Sequence, residues 1–271
     1  MISAFVINLD KDKDRLEALD ARLGALGLSY TRVPGVLGTQ FSDDLKPYFC
    51  LSNGDLAETP LQAGEIGAYA SHLRAMKMIV DQNLPYGLIF EDDALPLTSL
   101  VSTLNQIEKF PAGWDIIRLC GLLKRSVAPL FEIEPGTDFV FYSRIPLGAA
   151  AYLVSNAGAR KFLSDRGPRV EPLDVEIARH WFYDLKVFGV VPRPVKTTNA
   201  PSTIESVAGR DSTHSIKRKA KIRGSHYVFE RSAQALKSIR EMGFGAWATC
   251  FASNTGHHIA KIFGAKRKII E

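Results

Sequence analysis

Residues 86 to 93 constrain the fold of this 271-residue chain more than any other stretch. Tyr86-Gly87-Leu88-Ile89-Phe90 is a compact apolar run of the kind that makes a buried strand, and it ends without transition in three carboxylates, Glu91-Asp92-Asp93. Neighbouring like charges repel and burial raises the cost of each, so acids at a strand end are either solvated or neutralised by a cation. Two readings follow. The acids cap the next turn or form surface ion pairs, or Glu91 and Asp93 offer oxygens to a hard divalent cation, Mn2+ or Mg2+, that bridges the phosphates of a nucleotide diphosphate. The triplet alone does not separate them.

The surrounding pattern places the triplet in a sheet. Ala4-Phe5-Val6-Ile7-Asn8-Leu9 is a second short apolar run. Leu16, Leu19, Leu23 and Leu26 then recur at helical spacing from Asp12, with Gly27 as a stop. Tyr30 to Val33 reads as a strand, and a Gly- and Pro-punctuated loop runs to about residue 62. The pattern predicts a helix from Gly64 to Asp81, closed by Asn83-Leu84-Pro85. After the triplet come a helix with Leu100, Leu104 and Ile107 and a strand over Trp114 to Leu119, the β-α-β order of a parallel sheet. Further strands are expected at 148–154 and 186–191, a hairpin around Phe139 to Tyr142, and helices after Ser155 and from Glu171-Pro172-Leu173-Asp174 through Ile177 and Trp181. Two more helices are expected at 227–242 and 247–263. In open sheets of this kind ligands bind beyond the carboxyl ends of the strands, where the triplet lies.

Hydrophobic content of 46% with 23% charged residues suits a globular α/β protein, and no stretch approaches the roughly 20 apolar residues of a bilayer span. The N-terminal run lacks a basic region before it, so a secretory signal is not expected and the cytoplasm is the expected compartment. Cys50, Cys120 and Cys250 are too widely spaced for a zinc site or a disulfide framework. Charge divides the chain. Residues 1 to 208 carry 21 Lys/Arg against 25 Asp/Glu, whereas residues 209 to 271 carry 13 against 4. The boundary is set at residue 210, with a catalytic domain over 1–210 and a basic helical extension over 211–271. The run Lys217-Arg218-Lys219-Ala220-Lys221-Ile222-Arg223 and the apolar residues after it suit an anionic membrane surface, or the apolar residues pack on the core and the lysines are solvated. The run has no interleaved aromatics, and no nucleic-acid partner is expected.

Five segments in order carry a resemblance: Val6-Ile7-Asn8-Leu9 with Arg15, Gly64-Glu65-Ile66-Gly67-Ala68-Tyr69-Ala70-Ser71-His72, Leu88 to Ala94, Trp114 to Leu119, and Gly148 to Ser155. Together they closely resemble glycosyltransferase family 25, the lipooligosaccharide β-galactosyltransferase family, over residues 4 to about 210. The resemblance implies a GT-A-like, Rossmann-type, mostly parallel sheet flanked by helices, and a metal-dependent, inverting transfer of a hexose, galactose from UDP-galactose, to a lipooligosaccharide or other surface glycan. It implies that Glu91 and Asp93 hold the metal, that Asn8, Leu9, Arg15, Glu65, Ser71, His72 and Asp92 line the nucleotide-sugar site, and that Asp174 is the base, with Asp115 as second candidate. Approach to a glycolipid acceptor implies a peripheral position on the inner face of the cytoplasmic membrane. Four of these residues also have a structural reading: a surface arginine pair for Arg15, a satisfied helix histidine for His72, a first-turn helix acid for Asp174 and a structural acid at a strand start for Asp115.

The chain departs from the family where Lys196-Thr197-Thr198 stands in place of its usual glutamine, between Pro192-Arg193-Pro194-Val195 and Ser202-Thr203-Ile204. That departure keeps a non-catalytic binding module open as an alternative. A sugar-phosphate nucleotidyltransferase fits less well, because Asp10-Lys11-Asp12-Lys13-Asp14 occupies the place of its Gly-rich basic loop.

Overall fold

The computed structural model describes residues 2–38, 42–51, 53–121, 126–164, 167–198 and 225–262. Along the chain run β1 (Ala4–Asn8), α1 (Lys13–Ala25), β2 (Tyr30–Pro34), α2 (Ala63–Asp81), β3 (Tyr86–Glu91), β4 (Ala94–Pro96), α3 (Ser99–Asn105) and β5 (Ile116–Arg118). They are followed by β6 (Val127–Glu134), β7 (Thr137–Tyr142), β8 (Ala151–Ser155), α4 (Asn156–Leu163), α5 (Leu173–Ala178), β9 (Val187–Val191), β10 (Val195–Thr197), α6 (Ser225–Met242) and α7 (Phe244–Ile262).

Eight strands form one sheet in the order β2-β1-β3-β8-β5-β9-β7-β6. β1 is parallel to β2 and β3, and β5 to β9, whereas β8 opposes β3 and β5, and β7 opposes β9 and β6. Six strands therefore share one direction, and the α/β sheet is mixed but mostly parallel in that sense. The expected β-α-β unit over residues 86 to 119 is corrected in one respect: β3 and β5 are not neighbours, because β8 lies between them. Ala151 to Val154 are buried, Tyr152 and Val154 on one face and Ala151 and Leu153 on the other, so this strand needs ladder partners on both edges. Ala94–Pro96 pairs antiparallel with Val195–Thr197 as a small separate sheet that the sequence pattern did not lead us to expect.

The two-residue period of each strand sorts the core into two layers. Phe5, Ile7, Ile89, Ile116 and Tyr152 face α2, α4 and α5, with Tyr69, Met76, Phe162 and Ile177 opposite them. Val6, Leu88, Phe90, Ile117 and Leu153 face α1 and α3, with Leu19, Leu23, Leu100 and Leu104 opposite. Helix α2 starts at a reciprocal capping box between Gln62 and Glu65. Its first turns carry glycine because the loop after β2 lies directly on them: a Cβ on Gly67 would stand 2.5 Å from the Val36 carbonyl oxygen. Helix α5 ends at Ala178, so Trp181 falls beyond the helix expected to contain it.

α6 and α7 are held by polar contacts. Arg179 pairs with Glu230 at 2.7 Å, Lys237 bridges Asp184 and Glu241, and Asn254 accepts from the Ser126 backbone N–H at 2.9 Å. Phe229, Leu236, Phe244 and Phe251 remain exposed. No helix among the described residues is long and apolar enough to cross a membrane. The basic run at 217–223 and Ser202-Thr203-Ile204 lie outside the described residues.

Candidate active site

Parallel pairing sets Ile7 of β1 level with Glu91 of β3, so Asn8 and the acidic triplet emerge side by side at the same end of the sheet. Between them, α1, the loop after β2 and the first turns of α2 enclose a cleft of about 310 Å³. It gathers Asn8, Leu9, Arg15, Ser71, His72, Glu91, Asp92 and Asp93, eight of the residues singled out in the sequence.

The strand period carries through the triplet and assigns each acid a direction. Glu91 follows Ile89 onto the α2 face, where His72 Nε2 lies 3.0 Å from its Oε1. Asp92 turns to the α1 face. Its Oδ1 is 2.7 Å from Arg15, and its Oδ2 accepts from Asn8 Nδ2 at 2.9 Å. The remaining amide hydrogen of Asn8 goes to the Asp12 carbonyl at 2.8 Å, and its Oδ1 accepts from Arg32 at 3.2 Å. Asn8, Arg15 and Asp92 thus tie the ends of β1 and β3 to the start of α1. Ser71 is also a tie, donating to the Gly67 carbonyl at 2.7 Å and accepting from the Val36 N–H at 2.8 Å.

Electrostatics distinguish the three acids. Burial alone would lift the Glu91 carboxyl, but the hydrogen bond and charge of His72, with the charges of Arg118 and Arg15, outweigh it and hold Glu91 below its ordinary value. Burial raises Asp92 in spite of Asn8 and Arg15. Asp93 is pushed up to about 6 by burial, then by the negative charges of Glu91 and Asp92, with Arg15 in opposition. Its Oδ1 is buried with no hydrogen-bond partner among the described residues.

Among the described residues, no group of three or more His, Cys, Asp or Glu side chains is arranged to hold a metal by itself. A hard cation at a diphosphate does not need such a cage, because one or two carboxylates, the phosphate oxygens and water complete its shell. The partnerless Asp93 Oδ1 and the Glu91 oxygen not bound by His72 suit that partial donor set.

Three candidates lie away from the cleft lining. Glu65 Oε2 accepts from the Gln62 N–H at 3.0 Å in the α2 cap. Asp115 stands before β5 at the opposite end of the sheet, where its carboxylate binds Lys161 at 2.7 Å and the Lys186 N–H at 2.8 Å. Asp174 accepts from the N–H groups of Gly148 and Val175, both at 2.9 Å. Gly148 lies two residues before Ala150, whose carbonyl accepts from the Glu91 N–H, so Asp174 is at the triplet's end of the sheet.

Two residues escaped selection in the sequence. Tyr152 places its hydroxyl 2.9 Å from His72 Nδ1. Arg118, directly across from Tyr152 in the β5–β8 ladder, is fully buried, and its three guanidinium nitrogens have no hydrogen-bond partner among the described residues. The signal was a charge inside the apolar run Ile116-Ile117-Arg118-Leu119, since arginine is rarely buried without a purpose.

The model of glycosyltransferase family 25 (LPS biosynthesis protein) matches residues 1–176. Procollagen galactosyltransferase 1-A of Xenopus laevis is 31% identical over 193 residues, covering 66% of this chain and 31% of that protein. A glycosyltransferase 25 family member of Aedes aegypti is 26% identical over 170 residues, covering 60% and 28%. The chain thus spans about a third of the length of these curated relatives. Among solved structures, a Drosophila beta-1,4-galactosyltransferase 7 mutant in complex with manganese, UDP-Gal and xylobiose aligns at a TM-score of 0.41 and 10% identity over 77% of this chain and 74% of that one. That likeness is too loose to place any residue of the cleft. The family match, in contrast, runs from β1 through the triplet into α5 and takes in every element around the cleft, so the chain belongs to glycosyltransferase family 25.

Proposed function

We propose that this chain is a GT-A-like glycosyltransferase that moves a hexose, galactose from UDP-galactose, onto a lipooligosaccharide or other surface-glycan acceptor. The observation that carries the reading is the division of labour in the triplet: Asp92 is engaged by Arg15 and Asn8, while Glu91 and Asp93 present oxygens at the cleft. Glu91 and Asp93 would hold Mn2+ or Mg2+, which neutralises charge on a departing diphosphate. Leu9, Gly35, Gly38, Gly64 and Gly67 line the cleft in which the nucleotide would lie. For transfer with inversion, a carboxylate takes the proton of the acceptor hydroxyl. Asp174 is at the right end of the sheet for that role and Asp115 is not.

The assay that tests this is transfer or hydrolysis of UDP-sugars with added Mn2+, by wild type and Asp93→Ala. No turnover with any UDP-sugar, or equal turnover by the variant, defeats the reading. A donor-binding module without transfer is the second reading, favoured by the two backbone N–H groups that already occupy the Asp174 carboxylate. Calorimetric binding of UDP with Mn2+ but no turnover would select it. The exposed Phe229, Leu236, Phe244 and Phe251, joined to the basic sequence before them, support peripheral binding at the anionic inner face of the cytoplasmic membrane. Unchanged liposome co-sedimentation after removal of residues 217 to 271 would dismiss it.

A further inference from the structure

His72 lies in the middle of α2 between Tyr69 and Met76, on the face that packs against the sheet, and it is fully buried. Both ring nitrogens have partners, Tyr152 at 2.9 Å and Glu91 at 3.0 Å. An ionised carboxylate only accepts, so Nε2 donates to Glu91; Nδ1 accepts from the Tyr152 hydroxyl on a neutral ring and donates to its oxygen on a charged one. The His72 and Tyr152 rings also stack, with centroids 5.7 Å apart and planes at 21°. Tyr152 belongs to β8, a buried strand paired on both edges, which holds the base of its side chain in place. The series from Tyr152 through His72 to Glu91 ends at a side chain that is 32% exposed and lines the cleft.

The geometry points to His72 and Tyr152 as positioning residues that hold Glu91 Oε1, so that its other oxygen faces a divalent cation and diphosphate in the cleft. This rests on the metal reading above. Both act through Glu91, since the His72 ring nitrogens are taken up by Tyr152 and Glu91. Plain packing of α2 on the sheet would not require three polar groups to be desolvated in series, since apolar side chains fill such space at lower cost. The buried Arg118 cation lies directly across from Tyr152 in the β5–β8 ladder, behind the series. A carboxylate already oriented need not be ordered when the cation arrives, and loss of such supporting hydrogen bonds typically weakens metal binding about 10–100-fold.

The test is Mn2+ binding, read as free Mn2+ by electron paramagnetic resonance in the presence of UDP, for wild type, His72→Leu, His72→Gln and Tyr152→Phe. His72→Leu is expected to weaken Mn2+ binding about tenfold or more. His72→Gln, whose amide N–H can still reach Glu91, should recover most of it, and Tyr152→Phe should fall between. Affinity for UDP without metal should fall far less than affinity for Mn2+, a split that a general loss of structure would not give. Equal Mn2+ affinity in wild type and in folded His72→Leu overturns the inference, as does a His72→Gln variant no better than His72→Leu. If His72→Leu does not fold, Tyr152→Phe decides: wild-type Mn2+ affinity in that variant overturns the role of Tyr152 and of the series. A wild-type protein that binds UDP but no Mn2+ instead overturns the metal reading on which the inference stands.

Discussion

Arg15 on α1 reaches to within 2.7 Å of Asp92 Oδ1, tying the first helix to the acid that follows β3. This pair turns the middle carboxylate of the triplet away from its neighbours. Arg15→Met should therefore lower stability by about 1–3 kcal/mol in urea denaturation, because it takes the cation away from a largely buried carboxylate that the Asn8 amide also binds. It should also weaken UDP binding, since the end of β1 and the start of α1 lose a shared anchor.

Asp93 gives a pH dependence with a definite sign. Its carboxyl is raised from 3.8 to about 6 by burial first, then by Glu91 and Asp92. Between these values the folded protein holds a proton that the unfolded chain has released, so this group makes stability fall as pH rises through the window. The penalty is complete above the folded value and absent below the unfolded one. Asp93→Asn should accordingly be more stable than wild type at neutral pH by about 2 kcal/mol after allowance for partial exposure. The advantage should vanish near pH 4, and parallel urea titrations at the two pH values check it.

The two candidate bases separate by what their loss removes. Asp115→Ala strands the half-buried Lys161 and the Lys186 N–H, and should cost about 3 kcal/mol of stability while the folded fraction binds UDP normally. Asp174→Ala should lower kcat about 10²–10⁴-fold with UDP and Mn2+ affinity retained, as loss of a general base does. Steady-state kinetics beside calorimetry distinguish these outcomes.

Two glycines should respond in opposite directions. Gly67→Ala places a methyl 2.5 Å from the Val36 carbonyl oxygen at the cleft wall, and should destabilise by about 1–3 kcal/mol and impair nucleotide binding. Gly24→Ala in α1 meets nothing within 4 Å and should stabilise by about 0.5–1 kcal/mol. Thermal melts of both variants test the close approach of the β2–α2 loop.

Local periodicity made much of the framework legible. The apolar runs at β1 and β3, the leucines of α1 at helical spacing and the stop at Gly27, which has φ 69°, need only neighbours two to four residues apart. The position of Glu91-Asp92-Asp93 beyond a buried strand followed from the same pattern. The β4–β10 pair and the insertion of β8 between β3 and β5 could not be read that way, because a ladder joins segments distant in the chain and their order has no local signature.

By itself, the sequence determined that a buried strand would end in three acids and that the chain would fold as α/β layers, since alternation and helical spacing act over a few residues. Only the tertiary structure decided which acid meets which partner. Asp92 finds Asn8 across 84 residues and His72 finds Tyr152 across 80, and such meetings depend on strand order and helix packing, which bring together side chains that no local pattern relates.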